Sequence, residues 1–156
     1  MIRPATDADF PAIDRLIRTT SQEASPLPEA DYPQNFLANT QPADVLVAVD
    51  GKQVLGFVKV GPATPLATNA HVLLISGLAV DPAHQGTGLG RRLALAAIDE
   101  ASARGARRLR LHVLGGNGRA RALYSSHGFV VEGVLREEFL LGEDYVDDVL
   151  MALPLA

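Results

Sequence analysis

One stretch joins an apolar run to an amphipathic pattern: Leu78-Ala79-Val80-Asp81-Pro82-Ala83-His84-Gln85-Gly86-Thr87-Gly88-Leu89-Gly90-Arg91-Arg92-Leu93. The run from Val72 to Val80 has the length and composition of a buried strand, and the Asp-Pro step ends it because proline cannot donate to a sheet. Glycines then stand at alternate positions, where backbone N–H groups can approach a ligand and a helix start attracts anions. The stretch predicts a strand, a phosphate-binding loop and a helix.

Two familiar phosphate-binding motifs do not fit this loop. The dinucleotide fingerprint G-x-G-x-x-G, counted from Gly86, needs a glycine where Arg91 stands, and no acidic residue ends a strand about twenty residues on. A P-loop needs Gly-Lys-Ser/Thr, which the chain lacks. The pattern that fits is Gln/Arg-x-x-Gly-x-Gly/Ala, at Gln85 to Gly90. A purely structural turn is the alternative interpretation.

Length and composition limit the classes of function. A chain of 156 residues has the size of one domain, so we expect a single domain over residues 1–156. No apolar stretch approaches the roughly 20 residues that span a bilayer, and the N-terminus lacks a secretory signal. There is no cysteine, and the four histidines show no metal-ligand spacing. We therefore expect a cytoplasmic protein without a metal site or a membrane partner.

The charge is unevenly distributed along the chain. The net charge is -4, yet residues 84–124 hold eight arginines against Asp99 and Glu100, a local net charge of +6. A basic segment in an acidic chain favours a local anionic ligand and argues against a nucleic-acid partner. Arg91 and Arg92 fall in the first turn of the expected helix, where a cation is unfavourable by roughly 0.3–1 kcal/mol unless an anion binds there. The alternative is that both are solvated surface residues.

Periodicity and breakers place the other elements. Residues 2–4 form a short strand, and helical spacing predicts a helix from Thr6 to about Thr19. Residues 20–43 form a long polar loop, with a short helix near 31–39, and are our candidate for covering the acceptor. The chain continues with hairpin strands at 45–49 and 53–60, a connection at 61–70, a strand at 72–80, a helix from 88 to 105, a strand at 109–113, a helix at 117–128 and closing hairpin strands at 130–141 and 145–153. The strands at 72–80 and 109–113, joined by a helical crossover, should be parallel.

A second motif follows the glycine loop after one helix and one strand. It reads Asn117-x-x-Ala120-x-x-Leu123-Tyr124-x-x-His127-Gly128-Phe129 and resembles the second acetyltransferase signature, N-x-x-A-x-x-L-Y-x-x-x-G-F. With the loop at Gln85 to Gly90, in the same order and spacing, it resembles the GCN5-related N-acetyltransferase (GNAT) superfamily. The opening residues 2–6 and the closing Tyr145-x-Asp147-Asp148-x-x-Met151 are similar to members too, so the resemblance covers nearly the whole chain.

The resemblance implies an α/β (α+β) fold: a mixed, mostly antiparallel sheet of six or seven strands with helices on both faces. Two central parallel strands would splay apart around Gly77 to Val80 and His112 to Val113, and the pantetheine arm of acetyl-CoA would lie in that gap. Backbone groups of Leu78 and Val80 would bond the arm, and the loop would hold the pyrophosphate. The implied cofactor-binding set is Leu78, Ala79, Val80, Gln85, Gly86, Thr87, Gly88, Leu89, Gly90, Arg91, Asn117 and Tyr124.

The resemblance also implies an acetyl-CoA-dependent N-acetyltransferase that transfers acetyl directly to a primary amine of a small molecule or peptide. The leaving thiolate needs a proton or a hydrogen bond in a poorly hydrated gap. Tyr124 matches the family's catalytic tyrosine, and a phenol with a pKa near 10 suits that role. The alternative is that Tyr124 only packs in the core. Asn117 likewise has an alternative role as a helix N-cap.

The base that frees the amine is not assigned by the sequence. Many family members use a glutamate on the strand that matches 72–80, but residues 71–80 contain no carboxylate. For each of the other candidates the alternative is a role as a surface or packing residue, and water or the backbone could suffice as the proton acceptor. These candidates are His71, His112, Glu138, Asp147 and Asp148. The missing carboxylate keeps open an alternative function, a non-catalytic acetyl-CoA-binding regulatory module.

The closing hairpin bears on the charge of the acceptor. Residues 132–148 hold seven acids against Arg136, and in the family this hairpin and the loop near 20–40 border the acceptor pocket. We therefore expect a cationic acceptor, such as a small amine, an amino-acid derivative, an aminoglycoside-like compound or a peptide N-terminus. The alternative is a solvated hairpin face. A homodimer is common in the family and is a further expectation.

Overall fold

The structure, a computed structural model, describes residues 1–24 and 40–155. The expected helix at 31–39 and most of the expected loop at 20–43 lie outside these residues. The strands are β1 (Ile2–Pro4), β2 (Val45–Asp50), β3 (Gln53–Pro62), β4 (Val72–Val80), β5 (Arg108–Leu114), β6 (Val130–Leu141) and β7 (Asp144–Pro154). The helices are α1 (Phe10–Ala24), α2 (Leu89–Ala103) and α3 (Gly118–Ser126).

The strands of the described residues form one seven-stranded sheet in the order β1-β2-β3-β4-β5-β7-β6. β1 with β2, β2 with β3, β5 with β7 and β6 with β7 are antiparallel. β4 and β5 pair in parallel from Val72↔Arg108 to Ile75↔Leu111. This register confirms the predicted mixed sheet and the crossover. The parallel pairs end where the resemblance implies that the two strands begin to separate.

The chain divides into two compact units. The first comprises Met1–Lys59 and Gly77–Ala96, and the second comprises Val60–Ser76 and Ala97–Ala156. Strands and α1 form the core of the first unit: Ala5, Ile13, Leu16, Val45, Val47, Phe57 and Ala79. Buried side chains of the second unit include Val72, Ile75, Leu109, Leu111, Val113, Tyr124, Phe129, Val149 and Met151. The single domain over residues 1–156 stays a prediction.

Several element boundaries differ from the predictions by one or two residues, and the end of α1 differs by more. A short 3-10 turn, Asp7–Asp9, precedes α1, and α1 runs to Ala24, beyond the predicted end near Thr19. The sequence after Thr19 has no glycine or proline before Pro26, and Gln, Glu and Ala continue a helix readily. β3 extends to Pro62 rather than ending near residue 60. The polar composition of residues 20–24 was therefore a poor guide to where the helix ends.

The start of the first helical segment is fixed by a buried carboxylate. Thr6 is the N-cap residue, as predicted, and its backbone N–H donates to Asp9 Oδ2 at 2.8 Å. The Arg3 guanidinium donates to both carboxylate oxygens of Asp9, at 2.8 and 3.1 Å, and this hydrogen bonding lowers the pKa of the Asp9 carboxyl. The pair links the end of β1 to the beginning of the helix.

α2 has the buried stripe that its spacing predicts. Leu89, Leu93, Ala97 and Ala101 are all less than 5% exposed. The helix ends at Ala103, and a glycine with a φ of +79° follows at position 105, as is usual after a helix C-terminus. In the part of the chain that the structure describes, no helix is long and apolar enough to cross a membrane.

Candidate active site

The glycine loop, Gln85 to Gly90, leads from β4 into α2 and belongs to the first unit. The backbone φ is +79° at Gly86 and +84° at Gly88, in the region that residues with a Cβ rarely adopt. A Cβ added at either position would meet nothing within 4 Å. The two glycines are therefore required by the backbone conformation, and the space beside the loop is open.

The first turn of α2 can bind an anion. The Arg92 N–H donates to the Gly88 carbonyl at 3.1 Å, so Gly88 takes the N-cap position. A helix leaves the N–H groups that follow without intrahelical partners, here those of Leu89, Gly90 and Arg91. The side chains of Arg91 and Arg92 are exposed. Backbone donors, the positive end of the helix dipole and two guanidinium groups fit a pyrophosphate.

Two polar side chains of the loop bond to its own backbone. Gln85 Nε2 donates to the Val80 carbonyl at 3.3 Å, and Thr87 Oγ1 donates to the His84 carbonyl at 2.6 Å. These bonds tie the loop to the end of β4 and to the preceding turn. They give both side chains a positioning role, and the expected contact of Gln85 and Thr87 with the pyrophosphate stays a prediction.

Gly56 on β3 is a residue that the sequence analysis missed. A Cβ there would lie 2.8 Å from the Ala79 carbonyl oxygen and 3.0 Å from Leu93 Cδ1. Ala79 is part of the strand segment expected to bond the cofactor, and Leu93 is on α2. Glycine inside a strand often marks a close backbone approach, so the signal was present in the sequence. Gly56 lets β3 approach both elements.

We expect Gly56→Ala to lower the free energy of unfolding by about 1–3 kcal/mol, the usual range for overpacking a core. The added methyl meets a backbone oxygen, which cannot move away without its strand. Affinity for acetyl-CoA should fall as well, because the Ala79 segment must shift. Denaturant unfolding and calorimetric titration measure the two effects.

The matched control is Gly133→Ala on β6. A Cβ at Gly133 meets nothing within 4 Å, and the backbone there does not have a positive φ. This variant should keep both the stability and the affinity of the parent chain. Equal stability of Gly56→Ala and Gly133→Ala would contradict the close approach.

Two predicted site residues belong to α3 and its N-terminal cap in the second unit: Tyr124 and Asn117. Asn117 is the N-cap, and its Oδ1 accepts the Ala120 N–H at 3.1 Å. Its contact with the cofactor stays a prediction. Tyr124 is 7% exposed, and its ring meets Phe129 edge-on, with centroids 5.5 Å apart and planes at 66°. The helix therefore holds the Tyr124 ring in a defined position.

Burial raises the pKa of the Tyr124 hydroxyl to about 12, above the value near 10 that the sequence analysis used. The phenol is therefore a donor throughout the physiological range. A phenol with so high a pKa gives up its proton to a thiolate less readily than an ordinary phenol would. The environment of Tyr124 favours hydrogen-bond stabilisation of a thiolate over complete proton transfer.

Three of the candidate bases belong to different elements of the second unit. His71 is in the turn before β4, and its carbonyl accepts a backbone N–H of residue 107 at 2.9 Å. Glu138 is an exposed residue of β6. Asp147 Oδ1 accepts the Glu137 N–H at 2.9 Å, where the register of β6 with β7 shifts. These contacts give Asp147 a structural role in the hairpin.

The other two candidates, His112 and Asp148, are brought together. They lie on the neighbouring strands β5 and β7, where His112 is opposite Leu150 and Asp148 is two residues further along the same face. His112 Nδ1 is 2.8 Å from Asp148 Oδ2. The Asp148 side chain is 8% exposed and that of His112 is 45% exposed. A buried carboxylate therefore holds a half-exposed imidazole.

An open groove of about 310 Å³ lies in the second unit. Its lining comes from the β5–α3 connection, α3, β6 and β7, and includes Gly115, Arg121, Val134, Tyr145 and Asp147. The Tyr145 side chain is 64% exposed. The groove thus presents an aromatic ring, a carboxylate and a guanidinium beside aliphatic surface.

The seven acids of the closing hairpin are not equivalent. Glu132 accepts from the Arg108 guanidinium, which lowers the pKa of the Glu132 carboxyl. Asp148 is paired with His112, and Asp147 lines the groove. The remaining acids are exposed: Glu137, Glu138, Glu143 and Asp144. The hairpin keeps an acidic surface, but a smaller one than the count of acids suggests.

Comparison with known proteins identifies the family of this chain. The model of the acetyltransferase (GNAT) family matches residues 10–129. The chain belongs to the GNAT family. The ribosomal protein bS18-alanine N-acetyltransferase of Salmonella typhimurium is 40% identical over 79 residues, which are 51% of this chain and 53% of that protein. The match therefore spans about half the length of that curated relative.

Solved GNAT structures match the whole chain. The ribosomal-protein-alanine N-acetyltransferase from Brucella melitensis is 28% identical, with a TM-score of 0.83 over 99% of each chain. A putative acetyltransferase from Salmonella typhimurium, solved with its cofactor acetyl-CoA, is 26% identical, with a TM-score of 0.83 over 100% of this chain and 94% of that chain. The predicted GNAT fold class and family are confirmed. The roles of individual site residues stay predictions.

Proposed function

We propose that this GNAT protein transfers the acetyl group of acetyl-CoA to a primary amine. The glycine loop carries the proposal, because its two positive-φ glycines open the first turn of α2 to an anion. The tyrosine motif follows in the family's order, and the relatives are named as N-acetyltransferases. The alternative function is a non-catalytic acetyl-CoA-binding module. Such a module would also bind acetyl-CoA through the loop but would not transfer the acetyl group.

In this proposal different residues of the chain bind different parts of the cofactor. The loop from Gln85 to Arg91 holds the pyrophosphate, the backbone of Leu78 to Val80 pairs with the pantetheine arm, and Asn117 contacts the cofactor further along. Acetyl-CoA supplies the reactive thioester. The Tyr124 hydroxyl donates a hydrogen bond to the departing sulfur and lowers the energy of its negative charge.

We further propose that the acceptor is cationic and that its ammonium group approaches the groove beside β6 and β7. Asp147 offers a carboxylate there, and Tyr145 offers an exposed ring face, a combination that attracts ammonium groups. Two relatives are named for acting on the alanine of a ribosomal protein, which favours a peptide N-terminus among the possible amines. A homodimer and a cytoplasmic location stay predictions.

The test is thiol release from acetyl-CoA in the presence of an amine panel. The panel pairs each cationic acceptor, including short peptides with N-terminal alanine, with a neutral or anionic analogue of the same length. We expect amine-dependent release, at least about tenfold faster for the cationic member of a pair, the factor that corresponds to about 1.4 kcal/mol of extra attraction.

Binding of acetyl-CoA is measured separately by calorimetry. Binding without release across the panel would favour the regulatory module. No binding would overturn the assignment of the glycine loop and both functions with it. A preference for anionic acceptors would overturn the proposed role of the groove.

A further inference from the structure

Direct transfer to an amine needs a group that removes a proton, because an amine attacks only when its nitrogen lone pair is free. At neutral pH an alkylamine is mostly an ammonium ion, by analogy with the ordinary pKa of lysine, about 10.4. β4, from Val72 to Val80, contains no carboxylate or histidine. A side chain that accepts this proton therefore has to come from another element.

The His112–Asp148 pair supplies a defined proton acceptor. A carboxylate oxygen can only accept, so His112 Nδ1 carries hydrogen and donates to Asp148 across 2.8 Å. Nε2 then bears the lone pair. Among residues 1–24 and 40–155, the structure gives Nε2 no hydrogen-bond partner, and the ring is 45% exposed. Fixing one imidazole nitrogen by a buried carboxylate is how proteins set the tautomer of a working histidine.

The position of His112 on β5 is also informative. The parallel pairs of β4 with β5 end at Ile75↔Leu111, and His112 is the next residue of β5. β5 itself continues without a break in its pairing with β7, to Leu114↔Asp148. His112 therefore lies on a strand that is still paired with β7, at the first position of β5 beyond its parallel pairs with β4.

Some charged groups around the His112 imidazole stabilise a positive charge on the ring, and others oppose it. Asp148 on β7 stabilises the imidazolium that forms when Nε2 takes a proton. Arg110 lies two residues before His112 on the same face of β5 and opposes that charge. On β6 the residue opposite Asp148 is the apolar Leu135, and Glu132 further along is paired with the guanidinium of residue 108. Asp148 makes the direct contact.

We propose that His112 is the catalytic base of the acetyl transfer and that Asp148 is its positioning residue. The inference rests on the proposed function. Nε2 takes one proton from the acceptor ammonium and returns it to solvent. The freed nitrogen forms the N–C bond as the C–S bond breaks, and a second nitrogen proton ends on the sulfur, which leaves as a thiol. An ammonium and a thioester thus give an amide, a thiol and one proton in solution.

The decisive variant is His112→Asn, because an asparagine amide can still donate to Asp148 from near the Nδ1 position but cannot take a proton. Two acceptors are compared: an alkylamine that is protonated at neutral pH, and a hydrazide that is already neutral. We expect kcat/KM to fall about 100-fold for the alkylamine, a typical effect of losing a general base, and less than about tenfold for the hydrazide. The loss of kcat/KM for the alkylamine should become smaller as the pH rises from 7 to 9, because the fraction of free amine increases.

Asp148→Asn tests the positioning role. Its kcat/KM should depend on the acceptor and on pH in the same way as that of His112→Asn, but the loss should be smaller. Affinity for acetyl-CoA should be unchanged in both variants. A structural role would slow both acceptors equally and independently of pH, and that result would overturn the inference, as would an unaffected His112→Asn. Absence of release in the parent chain despite acetyl-CoA binding would instead overturn the proposed function itself, and this inference with it.

Discussion

Tyr124→Phe should lower kcat about 100-fold, in the range seen when a donor to a developing negative charge is removed, and should leave the affinity for acetyl-CoA unchanged. The variant removes only the hydroxyl. The ring is 7% exposed and packs edge-on against Phe129, and phenylalanine keeps that packing. Continuous thiol release with a saturating amine measures kcat, and calorimetry measures the affinity.

The pH dependence adds a second readout for Tyr124. Since burial raises the pKa of this tyrosine to about 12, the parent enzyme should show no alkaline decline from loss of the phenolic proton across the usual assay range. An alkaline limb present in the parent and missing in Tyr124→Phe would contradict the burial argument. An unchanged kcat in the variant would remove Tyr124 from the chemistry and leave it as a core residue.

Acetyl-CoA should bind at least about tenfold more weakly to Gly88→Ala than to the parent chain. The φ at position 88 is +84°, and an alanine in the left-handed region costs roughly 1–2 kcal/mol. A Cβ there meets nothing within 4 Å, so the variant should still fold. The loop can relieve its strain only by changing its backbone, which re-aims the N–H groups of Leu89 and Gly90. Calorimetric titration measures the affinity.

Gly133→Ala again serves as the matched control for Gly88→Ala. Both methyl groups enter open space, and only position 88 has a positive φ. A difference in acetyl-CoA affinity between the two variants therefore reports backbone conformation and not the addition of a methyl group. Parent-like binding by Gly88→Ala would mean that the loop conformation is not needed for the cofactor.

Much of the fold could be predicted because its signals are local. β4 occupies Val72–Val80, the range expected from the apolar run, and the Asp-Pro step and the alternate glycines mark its end without any tertiary information. α2 has the predicted buried stripe for the same reason. The end of α1 was predicted less well, because no strong breaker follows Thr19 and composition alone does not end a helix.

The candidate site was predictable only in part, because its remaining features depend on non-local contacts. His112 and Asp148 are 36 residues apart in the chain and meet through the register of β5 with β7, which no local pattern determines. The pKa of Tyr124 follows from its burial and not from its neighbours in sequence. The sequence identified each of these residues as a candidate. The fold shows that His112 and Asp148 form a hydrogen-bonded pair.

The two arginines at the start of α2 give the chain a point of local frustration. Natural sequences tend to agree with their fold at every level, and conflicts persist mainly where function requires them. Here the conflict is electrostatic, since Arg91 and Arg92 oppose the helix dipole. The diphosphate of the proposed cofactor complex would remove this conflict, and any ligand that binds only the native chain shifts the folding equilibrium toward that chain. If acetyl-CoA binds here as proposed, folding and cofactor binding are thermodynamically coupled at this helix terminus, and the cellular supply of acetyl-CoA would help set how much of the protein is folded.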